Sequence, residues 1–340
     1  MLRERRRSGW GFRLIGLLCL VANLVSCNTR NETYLETRIL FDTEVYIEAY
    51  GRDAKAAVTK ALDKMAKLDQ SLNFYDATSE LSQLIRSAGS TPQWVSPETF
   101  EIIQEAIDIA QITEGSFNPA IGPLVKLWEN AGETGRVPTS KEIETLLPLT
   151  NFQLIELDSA NQTVFLPREG MMLDLGGIAK GYAVEQAVLI LEKAGIKSAM
   201  VQAGGNIHTI GYKADGTAWR IGIRNPQQTE AVIGYVDIHD TGIDTSGDYE
   251  RFITINGVKY GHILNPFTGY PPHGVISCSV LADSPVLADA LATALVVMGV
   301  DMGLEKVNAL PGVEVILIDS EGGIHMTAGA EGMFISAGSQ

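Results

Sequence analysis

The chain has 340 residues, 41 Asp and Glu against 26 Lys and Arg, and a formal net charge of −15. Such an excess of negative charge repels a phosphate backbone, so nucleic acid is excluded as a partner, and an anionic ligand needs local compensation from a cation, a lysine or helix dipoles. Forty-five per cent hydrophobic residues supply enough material for one large core or two closely joined lobes.

The N-terminus reads as an export signal. Arg3, Arg5, Arg6 and Arg7 form a basic segment, and residues 14–25 are an apolar run too short to span a bilayer. Small Ser26 directly precedes Cys27, which is placed to take a lipid and become the new N-terminus. An uncleaved anchor is the competing reading. The expected organisation is a lipoprotein signal peptide (1–26), a lipidated tether (27–36) and one catalytic domain (37–340), held at the bacterial cell envelope facing the periplasm or exterior. Residues 1–26 carry five Arg and one Glu, so their removal leaves a charge of −19. Cys278 is then the one cysteine besides Cys27, and no intrachain disulfide forms within the domain; in its apolar run, 275–281, Cys278 reads as a buried small residue rather than a nucleophile.

Along the domain, residues 37–50 alternate like a strand and 53–70 read as an amphipathic helix. Ser96-Pro97-Glu98 is an N-cap, a helix-opening proline and a first-turn acid, starting a helix that runs to about Thr113. Thr139 and Glu142 make a capping box. From Phe152 the pattern turns to strands, 170–175 reads as a short buried strand, and 179–194 as a helix closed by Gly195. Asn256-Gly257 signals a hairpin, 285–298 a long helix and 313–318 a late strand. Helices mixed with hairpins predict an α+β (mixed α/β) fold, with mixed sheets and flanking helices.

Three segments carry chemistry. Gly176-Gly177 sits between strand and helix, where backbone approaches a ligand without Cβ interference, and the helix-opening amides with Lys180 suit an anion such as pyrophosphate. A tight turn with no ligand is the plainer explanation. The 285–298 helix is apolar around nearly its whole circumference, yet Asp289 and Thr293 interrupt it at i and i+4, on one face. A buried carboxylate needs a cation: either an Arg or Lys from elsewhere, or a hard divalent ion such as magnesium that takes two side-chain oxygens, a glycine carbonyl and substrate phosphates. Turn residues Asn265-Pro266 and Thr268-Gly269 leave His262 at a strand end, either structural or catalytic.

These segments closely resemble the ApbE family of FAD:protein FMN transferases, through DLGGIAKGYA (174–183), VQAGGNIHTIG (201–211), HILNPFTGYP (262–271) and ADALATALVVMG (288–299), in that order. Weaker matches are 73–84 and 115–128. The resemblance implies a magnesium-dependent enzyme that splits FAD, moves FMN to a Thr or Ser hydroxyl of a periplasm-facing flavoprotein subunit and releases AMP. It also implies that Asp289, Thr293 and the Gly177 carbonyl hold the metal. Phe41, Tyr75, Ser116, Phe117, Asn118, Asp174, Lys180 and His262 are then cofactor-binding positions, with Tyr75 against the flavin and His262 as general base. Phe41-Asp42-Thr43 departs from the usual Met-Gly-Thr, and Asn118 and Asn265 replace aspartates. A lipid-anchored FAD carrier or sensor, and a pyrophosphatase giving FMN and AMP, are the alternative functions.

Overall fold

Alternating side chains along eight strands sort two apolar layers to opposite faces of one sheet. In the computed structural model, which describes residues 32–247 and 251–339, these strands run in the order Thr33–Leu40, Thr43–Tyr50, Ala199–Ala203, Asn206–Ile210, Gly242–Gly247, Val275–Ala282, Glu314–Asp319 and Ile324–Met326. Every neighbouring pair is antiparallel. Val280, Ala282, Val315 and Leu317 pack with the Pro285–Met298 helix, whereas Leu281 and Ile316 point the other way and meet a three-stranded sheet. That is the period of two expected of a strand buried on both faces. The smaller sheet runs Phe334–Ser336, Gln228–Ile238, Trp219–Asn225.

On the helical face, Ala54–Leu72, Pro97–Ile112 and Ala179–Lys193 share the largest apolar cluster with the strands at 43–50 and 199–203. Helix ends follow the capping read from sequence. The Ser96 hydroxyl accepts from the Thr99 amide, the Thr139–Glu142 box is complete, and Gly195 closes its helix at φ 80°. The Asn256-Gly257 turn joins Phe252–Ile255 to Val258–Gly261, and the long apolar helix spans Pro285–Met298 as predicted. Cys278 is fully buried, and that burial, with Asp244 nearby, pushes its thiol well above the ordinary value, as suits an inert core residue.

Three expectations need correction. Residues 37–50 are not one strand but a hairpin, because Phe41 and Asp42 adopt φ of 52° and 55° and form its two-residue loop. Residues 33–36, read as tether, belong to the first strand of that hairpin. Residues 170–175 are not in a sheet: Met171, Leu173 and Leu175 are buried, but the Asp174 amide bonds to the Pro119 carbonyl (2.8 Å) on a loop. The sequence signalled burial there, and burial does not require a ladder. Cys27 and everything before it lie outside the described residues, among which no helix is long and apolar enough to cross a membrane.

Candidate active site

The Gly176-Gly177 turn feeds the Ala179–Lys193 helix, whose N-cap residue, Ile178, has no side chain able to satisfy the first-turn amides. The Leu175 carbonyl takes the Ala179 amide at 2.8 Å, and a different helix takes the Gly181 amide. Asp289 Oδ2 accepts the Gly181 amide at 2.8 Å, and Asp289 Oδ1 lies 3.3 Å from the Lys180 ammonium. The two helices approach closely enough that a Cβ on Gly181 would stand 2.7 Å from the Asp289 Cβ and collide with the Pro285 carbonyl. Glycine at 181 is therefore a packing requirement, which the sequence did not disclose.

Asp289 is 1% exposed and thus has the protein cation the sequence allowed for. One turn on, Thr293 faces the glycine turn: a Cβ on Gly177 would lie 3.0 Å from Thr293 Oγ1 and 3.4 Å from the Phe117 ring. Gly177 from the turn and Asp289 and Thr293 from the Pro285–Met298 helix thus converge. Asp174 closes the turn by accepting the Gly176 amide at 2.7 Å; burial raises its carboxyl above the usual range despite that bond, and the nearby Glu129 charge adds to the rise.

A cavity of about 1060 Å³ opens onto this crossing, at the upper end of the range of about 300–1,000 Å³ usual for small-molecule sites. It brings together every residue the sequence nominated in the domain: Phe41, Tyr75, Ser116, Phe117, Asn118, Asp174, Gly177, Lys180, His262, Asp289 and Thr293 all line it. Phe41 arrives on the hairpin turn. Tyr75 is 64% exposed at the wall, with its ring edge-on to Phe74, Lys126 Nζ 4.4 Å over its face, and its hydroxyl donating to Glu129. Ser116 and Phe117 are buried beneath the wall. The Asn118 side chain is committed locally, donating to the Thr150 carbonyl (2.9 Å) and accepting from the Ala120 amide (2.8 Å), so it shapes the loop.

His262 follows the Val258–Gly261 strand. Its Nδ1 stands 3.1 Å from the Arg251 carbonyl oxygen, which can only accept. The proton therefore sits on Nδ1, and Nε2 keeps its lone pair. His262 is exposed to the cavity, yet the protein packed around it desolvates the imidazole, and the Arg251 and Lys180 charges add to the effect, lowering its pKa to about 4. The imidazole is therefore neutral at neutral pH. Arg251 and Glu129 also line the cavity. Reading the sequence missed both, since neither sits in a motif or at a diagnostic spacing.

One carboxylate, one hydroxyl, glycine backbone and a lysine make an all-oxygen site beside a cation. Among the described residues no cluster of three or more His, Cys, Asp or Glu gathers as metal ligands. This donor set fits a hard divalent ion that keeps water and takes phosphate oxygens, and not a soft or caged metal.

The chain belongs to the ApbE family, whose pattern it matches over residues 41–317. It is 33% identical to the FAD:protein FMN transferase of Treponema pallidum, across 94% of each chain, and 33% identical to that of Vibrio cholerae, across 81% of this chain and 84% of the other. Among solved structures it is similar to the ApbE protein of Thermotoga maritima (33% identity, 89% of this chain and 99% of that one, TM-score 0.81). The flavin transferase ApbE of Vibrio cholerae is a second structural match (29%, 89% and 99%, TM-score 0.78).

Proposed function

We propose that this protein transfers FMN from FAD to a Thr or Ser hydroxyl of an acceptor flavoprotein and releases AMP, with magnesium as cofactor, while lipid-anchored through Cys27 at the bacterial envelope. The acceptor is then a flavoprotein subunit facing the periplasm or exterior. The observation that carries the reading is the convergence of Gly177, Asp289, Thr293, Lys180 and His262 on one cavity in a chain of the ApbE family.

In this reading the Tyr75 ring lies against the flavin, and the loop at 116–118 offers backbone to the cofactor. The positive end of the Ala179–Lys193 helix dipole and the Lys180 ammonium lie toward the pyrophosphate, adding local positive potential in an acidic protein. Asp289, Thr293 and the Gly177 carbonyl would hold magnesium, which when bound supplies positive charge to the phosphate oxygens. His262 Nε2 takes the proton of the acceptor hydroxyl. That oxygen forms a new bond to the FMN phosphorus as the anhydride bond to the AMP half breaks, and AMP departs with the bonding electrons. Binding energy and charge placement do most of the work, as is usual for phosphoryl transfer.

The experiment mixes the purified protein, FAD, magnesium and a periplasmic flavoprotein domain, then reads the domain's mass. The expected result is a gain of one FMN, on a Thr or Ser, that requires FAD and magnesium. Unchanged acceptor mass with FAD converted to free FMN and AMP would make the protein a pyrophosphatase, and unchanged FAD would leave a carrier or sensor.

A further inference from the structure

We infer that the outer edge of the Trp219–Asn225 strand is where the acceptor polypeptide docks, adding to the small sheet as an extended strand that delivers its hydroxyl to the cavity. The inference rests on the transferase reading above and names the surface by which that activity selects its protein substrate.

Three observations converge. The small sheet runs Phe334–Ser336, Gln228–Ile238, Trp219–Asn225, so among the described residues the last strand has a neighbour on one side only. Ile221, Gly222, Ile223 and Arg224 on that strand line the same cavity as His262, Asp289 and Thr293. Outside the ladder with 228–238, the backbone of residues 221–224 makes no hydrogen bond to another described residue. An unpaired strand edge is a ready template for another chain, and proteins ordinarily cover or charge such edges.

The side chains leave this edge open. Ile221 and Ile223 turn into the core, 8% and 2% exposed, and Gly222 between them carries no side chain. A glycine inside a strand often marks close approach of another backbone. Here Val232 also bears on it, 3.1 Å from where a Cβ would sit, so packing contributes to the choice. The register slips on both sides of Arg224, a bulge of the kind that re-aims a side chain beside an active site. Exposed Arg224 therefore marks the end of the open edge.

The partner this surface fits is a polypeptide in extended conformation, paired through its main chain, with a Thr or Ser facing the cavity and a carboxylate set against Arg224. Main-chain pairing supplies affinity that is indifferent to sequence, while the hydroxyl and the carboxylate supply selection. A free nucleotide gains nothing from such an edge. A second copy of this chain is the other candidate occupant.

The test uses the full protein with FAD and magnesium, and an acceptor flavoprotein domain whose receiving Thr is replaced by Val so that the complex persists. Amide hydrogen exchange at residues 220–225 should slow about tenfold when this domain is added. With the unaltered acceptor, Arg224→Glu should raise the acceptor KM about tenfold, leaving kcat and FAD affinity unchanged, and Arg224→Lys should recover most of the loss. Unchanged exchange at 220–225 in a complex that forms, or an unchanged KM in Arg224→Glu, would overturn the docking site. Protection that needs no acceptor and grows with protein concentration would assign the edge to a second copy and overturn it too. Failure of the wild-type protein to flavinylate any acceptor is a different result: it removes the transferase reading, and the docking site falls with it.

Discussion

The Gly181 amide donates to Asp289 Oδ2 at 2.8 Å, so the carboxylate of one buried helix caps the first turn of another. This bond, together with Lys180 at 3.3 Å, gives Asp289 a structural role that coexists with its proposed metal role. Asn and Ala separate the two. Asp289→Asn keeps an oxygen for the Gly181 amide and should melt within about 2 °C of wild type, yet lose transfer by about a hundredfold or more. Asp289→Ala also strips the cap and removes the Lys180 contact, with a further loss of about 1–2 kcal/mol in denaturant unfolding. Wild-type turnover by Asp289→Asn, with metal rigorously buffered, would remove Asp289 from the reaction.

Gly181 itself is a steric prediction. Because a Cβ would collide with Pro285 and Asp289, Gly181→Ala should cost about 1–3 kcal/mol by overpacking, despite alanine's better helix propensity. Equilibrium denaturation measures this, and a stabilised variant would contradict the close crossing.

How legible was this in the sequence? Elements with explicit punctuation were read well: Ser96-Pro97, the Thr139–Glu142 box, Asn256-Gly257 and the apolar helix at 285–298 each declare a local rule. The first hairpin was invisible because Phe41 and Asp42 occupy left-handed backbone without the Asn-Gly or Asp-Gly pair that signals such a turn. Buried 170–175 mimicked a strand because apolar alternation reports burial, whichever partner its backbone finds. At the site, Asp289 and Thr293 stood out as polar intruders on an apolar helix. Arg251, Glu129 and the cap on Gly181 depend on residues far apart in the chain, and no spacing encodes them.

Glu105 carries a pH prediction. Burial, then the charges of Glu185, Glu101 and Asp108, raise its pKa to about 7. A carboxyl raised in the folded state binds more protons there than in the unfolded chain, so its penalty is absent below about pH 4.5 and complete above about pH 7. Glu105→Gln should therefore raise the melting temperature by about 2 °C at pH 8, about 1 kcal/mol once solvent screening of a partly exposed group is allowed for, and leave pH 4.5 unchanged. Equal effects at both pH values would refute the assignment.

His262 is predicted to act on the acceptor and not on FAD affinity. His262→Ala should bind FAD within about threefold of wild type and transfer FMN about a hundredfold more slowly or worse. Joint loss of binding and transfer would make it a residue that positions phosphate. Since its imidazole is already neutral at neutral pH, the wild-type rate should be flat from pH 6 to 8 and fall only on further acidification.

The central claim is that one cavity delivers FMN to a protein hydroxyl and not to water. Counting AMP released and FMN covalently bound to the acceptor, in the same reaction, tests it directly. Equal amounts of the two, with no free FMN, are the predicted result. AMP accompanied by free FMN and an unmodified acceptor would contradict it.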